Sequence, residues 1–159
     1  MTSTSSIFAK RSLKWTLPAL ALVAGMPLLA STASDIANRV DKYKVLGNVY
    51  KDVTDDLRRG SPNMADMRTN AYTIRRASEL QYNWFPAGSG PGRGVDTAAR
   101  AEIWTNRAAF RAAQDRFASR AVAFEEAVAS GNLDNMRSAS RLLGASCKSC
   151  HDDFREERD

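Results

Sequence analysis

Four long stretches of helical periodicity, and no stretch that alternates like a β-strand, constrain the fold of this chain more than any other feature. In the first stretch, from about Asp35 to Arg59, apolar residues recur every three or four positions, and Ser34 is the expected N-cap. A glycine- and proline-rich segment at residues 86–94 cannot be helical. The other three helical stretches cover about residues 63–84, 97–129 and 133–157.

The apolar stripes of these stretches predict four helices packed against one another. Helices of about 20 to 30 residues are roughly 30 to 45 Å long, which is enough to bury a cofactor between them. Because the first and last connections are short, we expect an all-α antiparallel four-helix bundle. On the first helix the expected core-facing residues are Ile36, Val40, Tyr43, Gly47, Tyr50, Val53 and Leu57.

The composition fits one globular domain and argues against a nucleic-acid partner. The chain has 159 residues, of which 43% are hydrophobic, so a substantial core is possible. Residues 1–34 hold three basic and no acidic side chains, so they contribute most of the net charge of +5. The remainder carries a net charge of only +2 and has no long basic run. Nucleic-acid binding, which needs a clustered basic surface, is not expected.

The N-terminus has the pattern of a secretory signal. Lys10, Arg11 and Lys14 precede an apolar stretch from Trp15 to Ala30, and small residues follow it. We expect residues 1–33 to be a signal peptide cleaved after Ala33, and residues 34–159 to be the mature domain in the periplasm, with no membrane span. The alternative is a retained anchor, but a span needs about 20 apolar residues.

The sequence Cys147-Lys148-Ser149-Cys150-His151 carries the chemistry of this chain. Cys-x-x-Cys-His is the attachment motif of c-type haem, in which each thiol adds to a haem vinyl group and the histidine becomes an axial iron ligand. In a helix, Cys147, Cys150 and His151 stand at positions i, i+3 and i+4 and share one face. That face is the apolar stripe of the fourth helix, so we expect one covalent haem c to point into the bundle.

Other interpretations of the cysteine pair fit less well. A disulfide between Cys147 and Cys150 would constrain almost nothing within one helix. A thioredoxin-like pair needs a βαβ context, which the pattern lacks. Zinc needs further cysteine or histidine ligands, and the chain has only two cysteines and one histidine.

The ligand on the other face of the iron is constrained by the same count. With His151 as the sole histidine, bis-histidine ligation is impossible, and methionine is the usual alternative. Met136 lies about four turns from His151 on the same helix and cannot reach the opposite face. Met64 and Met67 stay open as ligands, although such methionines more often fill the core. We therefore expect a five-coordinate iron.

Beyond the motif itself, the chain from about Asp35 to Arg158 resembles the cytochrome c′ family of class II c-type cytochromes. The resemblance implies a four-helix bundle with the haem near one end. Two family positions differ, because Val40 stands where glutamine is common and Ala101 where proline usually precedes the third helix. The matching features are the C-terminal motif followed by Asp152-Asp153-Phe154-Arg155, Glu102-Ile103-Trp104, the Gly-Pro-Gly loop before it, and Leu142-Leu143-Gly144-Ala145-Ser146.

The resemblance also implies roles for individual residues. Arg39 and Tyr43 match the four-residue step from an arginine to the side chain over the open haem face. Arg39 would then pair with a haem propionate, although its alternative is a solvated helix charge. Asp96 is expected near the haem edge, and Arg155 could flank the iron on the His151 side.

The expected function is the binding of nitric oxide or carbon monoxide at a crowded haem, with a role in nitric oxide handling that the resemblance implies. The alternative is a six-coordinate one-electron carrier with an unidentified redox partner. A peroxidase is not expected, because it needs a distal acid–base group, usually histidine. The first helix carries more apolar surface than one bundle face needs, through Val45, Leu46 and Val49, so a homodimer is also expected.

Overall fold

The computed structural model describes Met1 and residues 26–92 and 96–157. Four long helices form the bundle, in which α1 packs on α2 and α5, and α4 packs on α2 and α5. No strand occurs in these ranges, so the all-α four-helix prediction is confirmed. The elements are α1 (Met26–Arg59), α2 (Met64–Leu80), a 3₁₀ turn (Gln81–Asn83), the short α3 (Glu102–Thr105), α4 (Arg107–Ser130) and α5 (Leu133–Phe154).

Helix α1 begins earlier than the sequence pattern indicated. It starts at Met26, so Ser34 lies inside the helix and the prediction that it is the N-cap is wrong. Pro27 does not prevent this, because proline is tolerated in the first turn, where backbone N–H groups have no intrahelical partner. The basic residues of the predicted signal, at positions 10, 11 and 14, lie outside the described residues, and cleavage after Ala33 stays a prediction. No described helix is both long and apolar enough to cross a membrane.

The predicted third helix is broken near its start. Asn106 adopts φ −122° and ψ 60°, ends α3 and accepts a hydrogen bond from the Ala109 amide through its side chain. Asparagine is a preferred N-cap, so this residue restarts the helix as α4. Residues 98–100 lie outside any helix and pair with the end of α5 through the Ala99–Arg155 bridge. This pairing ends α5 at Phe154, three residues before the predicted end.

The connection between α4 and α5 is a tight turn whose residues match its geometry. Gly131 caps α4 at φ 69°, a left-handed conformation that glycine adopts without steric cost. Asn132 then caps α5, because its side chain accepts from the Asp134 and Asn135 amides. The turn makes α5 antiparallel to α4 and brings the C-terminal part of α5 beside the start of α4.

The core-facing stripe of α1 differs from the predicted one. Val40 and Gly47 are exposed, whereas Arg39 and Leu46 are buried. The buried face therefore follows the alternating three- and four-residue steps through positions 36, 39, 43, 46, 50, 53 and 57. Leu46 belongs to the core and Val49 packs against it, so Val45 alone of the three residues behind the dimer prediction stays exposed.

Two apolar clusters divide the interior. The main cluster joins α1, α2, α4 and α5, and Val53, Ile74 and Phe124 are fully buried within it. The second cluster lies at the end of the bundle where α5 finishes, and it comprises Ile103, Phe110, Ala113 and Phe154. The C-terminal half of α5 runs along both clusters, which places the attachment motif where they meet.

Candidate haem attachment site

The two cysteines lie on the inner face of α5 at the boundary between the clusters. Cys147 is partly buried and packs against the main cluster, and Cys150 is partly buried and packs against the second. Neither forms a disulfide. Both thiols are therefore available on one face of one helix, at the spacing that the two vinyl groups of haem require.

The electrostatics of the three motif residues fit attachment rather than redox exchange. Burial raises the pKa of both Cys147 and Cys150 to about 11, so neither is an activated thiolate of the thioredoxin kind. His151 is exposed, unlike the partly buried cysteines, although it was predicted to share their core-facing stripe. Desolvation by the protein around part of its ring, together with the positive charge of Arg155, lowers the pKa of His151. A neutral imidazole is the form that ligates iron. The donor set and its protonation states thus fit a covalent haem c.

Tyr43 faces the two cysteines from α1. Burial is the main cause that raises the pKa of its phenol, and the nearby Cys150 and Cys147 thiols add to the effect while Arg39 opposes it. The Tyr43 ring packs edge-on against Trp84, with centroids 4.9 Å apart, and lies 6.1 Å from the Phe85 ring. Tyr43 is thus held between the cysteines of α5 and two aromatic rings of the residues that follow α2.

The hydroxyl of Tyr43 is directed at a buried amide pair. It donates to Oε1 of Gln81 over a long 3.5 Å, while Nε2 of Gln81 donates to the carbonyls of Ser78 and Gln114. Because both amide protons are used on carbonyls, the side-chain oxygen must face Tyr43. Nε2 of Gln114 in turn donates to the Gln81 carbonyl, which ties the 3₁₀ turn to α4.

Arg39, one helical turn before Tyr43, is buried and binds the segment that follows α2. Its Nη1 donates to Oγ of Ser89 at 2.9 Å and to the Trp84 carbonyl at 3.4 Å. Its Nη2 donates to the Ser89 carbonyl and to Oγ1 of Thr97, both at 3.0 Å. The guanidinium also lies 4.7 Å from the centre of the Phe85 ring. A haem propionate could therefore accept a hydrogen bond only from Nε–H of Arg39, unless it displaced one of these contacts.

A row of aromatic rings connects the Tyr43 side with the end of α5. Phe85 lies 4.8 Å from Phe110, and Phe110 lies 5.1 Å from Phe154, both in edge-to-face geometry. A cavity of about 360 Å³ lies beside this row and is lined by Phe85 and Phe110 together with Trp104 and Arg107. Tyr43 and the two cysteines do not line it, so the cavity is separate from the attachment site.

The remaining predicted residues are less closely tied to the motif. Asp96 is exposed, next to Thr97, and its role at the haem edge stays a prediction. Arg155 is exposed but lies close enough to His151 to affect its pKa. Met67 is fully buried in the main cluster, and Met64 packs against that cluster near the start of α2. Four residues that surround Tyr43 and Arg39 were not predicted as site residues, namely Gln81, Trp84, Phe85 and Ser89.

Comparison with known proteins agrees with this arrangement. The family described as Cytochrome C' matches residues 34–155. The cytochrome c' of Alcaligenes xylosoxydans xylosoxydans is 37% identical over 95 residues, which are 59% of this chain and 70% of that protein. The cytochrome c' of Rhodopseudomonas palustris is 31% identical over 148 residues, which are 87% of this chain and 97% of that protein.

A solved structure shares the fold over nearly its whole length. It is a ferrous variant of cytochrome c prime from Alcaligenes xylosoxidans with bound NO, and it superposes with a TM-score of 0.72 at 26% identity. The match covers 80% of this chain and 97% of that one. The family match, the fold and the motif on the inner face of α5 together establish that this chain belongs to the cytochrome c′ family and carries covalent haem c.

Proposed function

We propose that this chain is a periplasmic haem protein that binds nitric oxide or carbon monoxide on the Tyr43 side of the haem. The observation that carries the proposal is the placement of Tyr43 on α1, facing Cys147 and Cys150 across the bundle. When bound, haem would supply an iron that His151 could ligate and that could bind a small gas. Tyr43 would lie at the gas site, so its ring would have to move before a ligand enters.

The positions of the methionines support a five-coordinate iron over the six-coordinate carrier. Tyr43 lies beside Gln81 at the C-terminal end of α2, whereas Met67 lies 14 residues earlier. At 1.5 Å per residue this separation is roughly 20 Å along the helix axis, and Met64 is further away. A methionine of α2 could ligate iron at the cysteines only after a large rearrangement of the main cluster.

The comparison with solved relatives favours a gas ligand. The cytochrome c prime of Alcaligenes xylosoxidans has been solved with bound NO. A neutral diatomic suits a site that is walled by aromatic rings and, within the described residues, has no second histidine for acid–base chemistry. We therefore infer gas binding in nitric oxide handling, with a capacity for electron transfer, rather than an enzymatic reaction.

Location and assembly belong to the same proposal. Residues 1–33 would direct export and be removed, which leaves residues 34–159 as the periplasmic domain. A homodimer through α1 would use Val45, whose side chain is 57% exposed. Light scattering at high micromolar concentration tests the dimer, and a monomeric mass there would contradict it.

The gas-binding proposal is tested by opening the Tyr43 side. Tyr43→Ala should speed carbon monoxide association by at least about tenfold, because a packed ring no longer has to be displaced. Tyr72→Ala is a matched control, since Tyr72 is an exposed tyrosine on α2, and it should leave the rate unchanged. Flash photolysis of the carbon monoxide complex measures the rate. Equal rates for the wild type and Tyr43→Ala would refute the assignment of Tyr43.

A further inference from the structure

The glycine-rich stretch after α2 is an ordered feature around Arg39. Ser89 is almost fully buried, and its hydroxyl accepts from Arg39 and donates to the Pro86 carbonyl at 2.9 Å. The Pro86 carbonyl also accepts from the Trp104 indole at 3.1 Å. Gly90 lies so close to the Trp104 ring that an added Cβ would stand only 3.2 Å from it. We call residues 84–92 the wrap segment, because they fold around Arg39 and Trp104.

Arg39 of α1 donates several hydrogen bonds to this segment. Its two terminal nitrogens donate to the carbonyls of Trp84 and Ser89 and to the Ser89 hydroxyl, and one also donates to Thr97. The guanidinium lies over the rings of Phe85 and Trp104, at 4.7 and 5.7 Å. A planar group with donors in fixed directions suits this combination of carbonyl contacts and ring stacking, which lysine cannot reproduce.

The wrap segment begins with the two rings that pack on Tyr43. Trp84 contacts Tyr43 edge-on, and Phe85 lies on the neighbouring side. The Trp84 carbonyl is itself one of the acceptors of Arg39. Trp84 therefore contacts both Arg39, through its carbonyl, and Tyr43, through its ring.

We propose that Arg39 is a positioning residue that fastens the wrap segment to α1 and thereby holds Trp84 and Phe85 against Tyr43. This role differs from pairing with a haem propionate, because the acceptors belong to the protein itself. Its effect on gas entry rests on the proposed function, whereas the fastening of the segment does not.

The fastening is tested by hydrogen exchange in the haem-bound protein. Arg39→Met should speed amide exchange in residues 84–92 by at least about tenfold, because hydrogen bonds from a charged donor are lost there, while exchange in α4 stays unchanged. Ser89→Ala should produce a smaller increase at the same residues and should add little to Arg39→Met. Unchanged exchange in residues 84–92, or an equal increase in α4, would overturn the proposal.

A second arginine provides a matched control for general loss of stability. Arg137 also joins two helices, far from the wrap segment. It lies on α5, and its guanidinium donates to the carbonyl of Leu57 on α1. Arg137→Met should lower the free energy of unfolding without faster exchange in residues 84–92. Ser89→Ala and Thr97→Val keep the test decisive if Arg39→Met does not fold.

The positioning effect and the propionate alternative give different outcomes. If Arg39 positions the rings, both Arg39→Met and Ser89→Ala should speed carbon monoxide association, and Arg137→Met should not. If Arg39 mainly serves a propionate, Arg39→Met should shift the haem midpoint potential while Ser89→Ala changes neither the potential nor the association rate. That second pattern would overturn the proposal. If the protein bound no gas at all, the proposed function would fail, and the exchange result would still decide the fastening.

Discussion

On the attachment side, Cys147, Cys150 and His151 lie within five residues of one helix, whereas the opposite side is assembled from two separate parts of the chain, α1 and the continuous residues 81–85. Tyr43 belongs to α1, Gln81 to the 3₁₀ turn, and Trp84 and Phe85 to the wrap segment. The first arrangement depends on helix geometry alone, and the second on contacts between residues about 40 to 60 positions apart. Substitutions on the attachment side should therefore either keep or abolish covalent haem attachment. Substitutions on the Tyr43 side should change stability and gas binding gradually.

The largest effect is expected from removing the two thiols that attach the haem. The double substitution Cys147→Ser and Cys150→Ser deletes both thioether bonds, so acidified organic solvent should extract the haem completely. Lys148→Ala changes an exposed residue inside the same motif and should keep the haem covalent. Mass spectrometry distinguishes the two products. Haem that stays bound to the double variant through this treatment would contradict the assignment.

The next effect concerns the point where α1 and α5 approach each other. Gly144 lies one turn before Cys147, and a Cβ there would overlap the Tyr50 hydroxyl, which donates to the Ser140 carbonyl at 3.0 Å. Gly144→Ala should lower the free energy of unfolding by about 1 to 3 kcal/mol.

An exposed glycine on α1 is the control for that substitution. Nothing lies within 4 Å of a Cβ built at Gly47, so Gly47→Ala should raise the free energy of unfolding by about 0.5 to 1 kcal/mol. Urea titration measures both variants. A stabilising Gly144→Ala would show that the two helices are not in close contact.

A smaller effect is expected from the hydroxyl of Tyr43. Tyr43→Phe removes only the donor of the Tyr43–Gln81 hydrogen bond and should lower the free energy of unfolding by about 0.5 to 1.5 kcal/mol. Gln81→Leu also removes the amide donors to the Ser78 and Gln114 carbonyls and should lower it by more. If the hydroxyl acts through Gln81, the effects in the double variant should be less than additive. Full additivity in thermal or chemical unfolding would mean that the hydrogen bond contributes nothing.

The smallest effect is a pH dependence. Burial raises the pKa of Tyr43 in the folded protein above that of an unfolded tyrosine, which is about 10. The stability it contributes is fully present below about pH 10 and is lost as the pH rises further, because the unfolded state then loses the proton first. Tyr43→Phe should therefore reduce the fall in stability above pH 10. An unchanged slope would show that Tyr43 is not protected in the folded state.

The contrast between the two sides also explains what the sequence could predict. The spacing of Cys147 and Cys150 predicted that both lie on one face of a helix, and the structure has both partly buried on α5, because helix geometry alone defines that face. The burial of Arg39 was not predicted, since an arginine is not counted in an apolar stripe and its partners Ser89 and Thr97 are 50 and 58 positions away. Only the folded chain brings those acceptors to it.

The same reasoning applies to the ends of the helices. Asparagine is a good N-cap, and Asn106 begins α4. The helix break at Asn106 was not predicted, because the apolar stripe continues on both sides of it. The end of α5 depends on pairing with residues 98–100, which the spacing of α5 does not encode. The number of long helices was therefore predictable from periodicity, whereas the exact buried face of α1, the break at Asn106 and the end of α5 were not.

The proposed function depends on an iron that His151 ligates on one side and that stays open to gas on the Tyr43 side. The visible spectrum of the reduced protein, recorded alone and with nitric oxide or carbon monoxide, reports the state of this iron. We expect a high-spin ferrous spectrum that changes when either gas is added. A sharp low-spin α band that neither gas alters would contradict it and would favour the six-coordinate electron carrier.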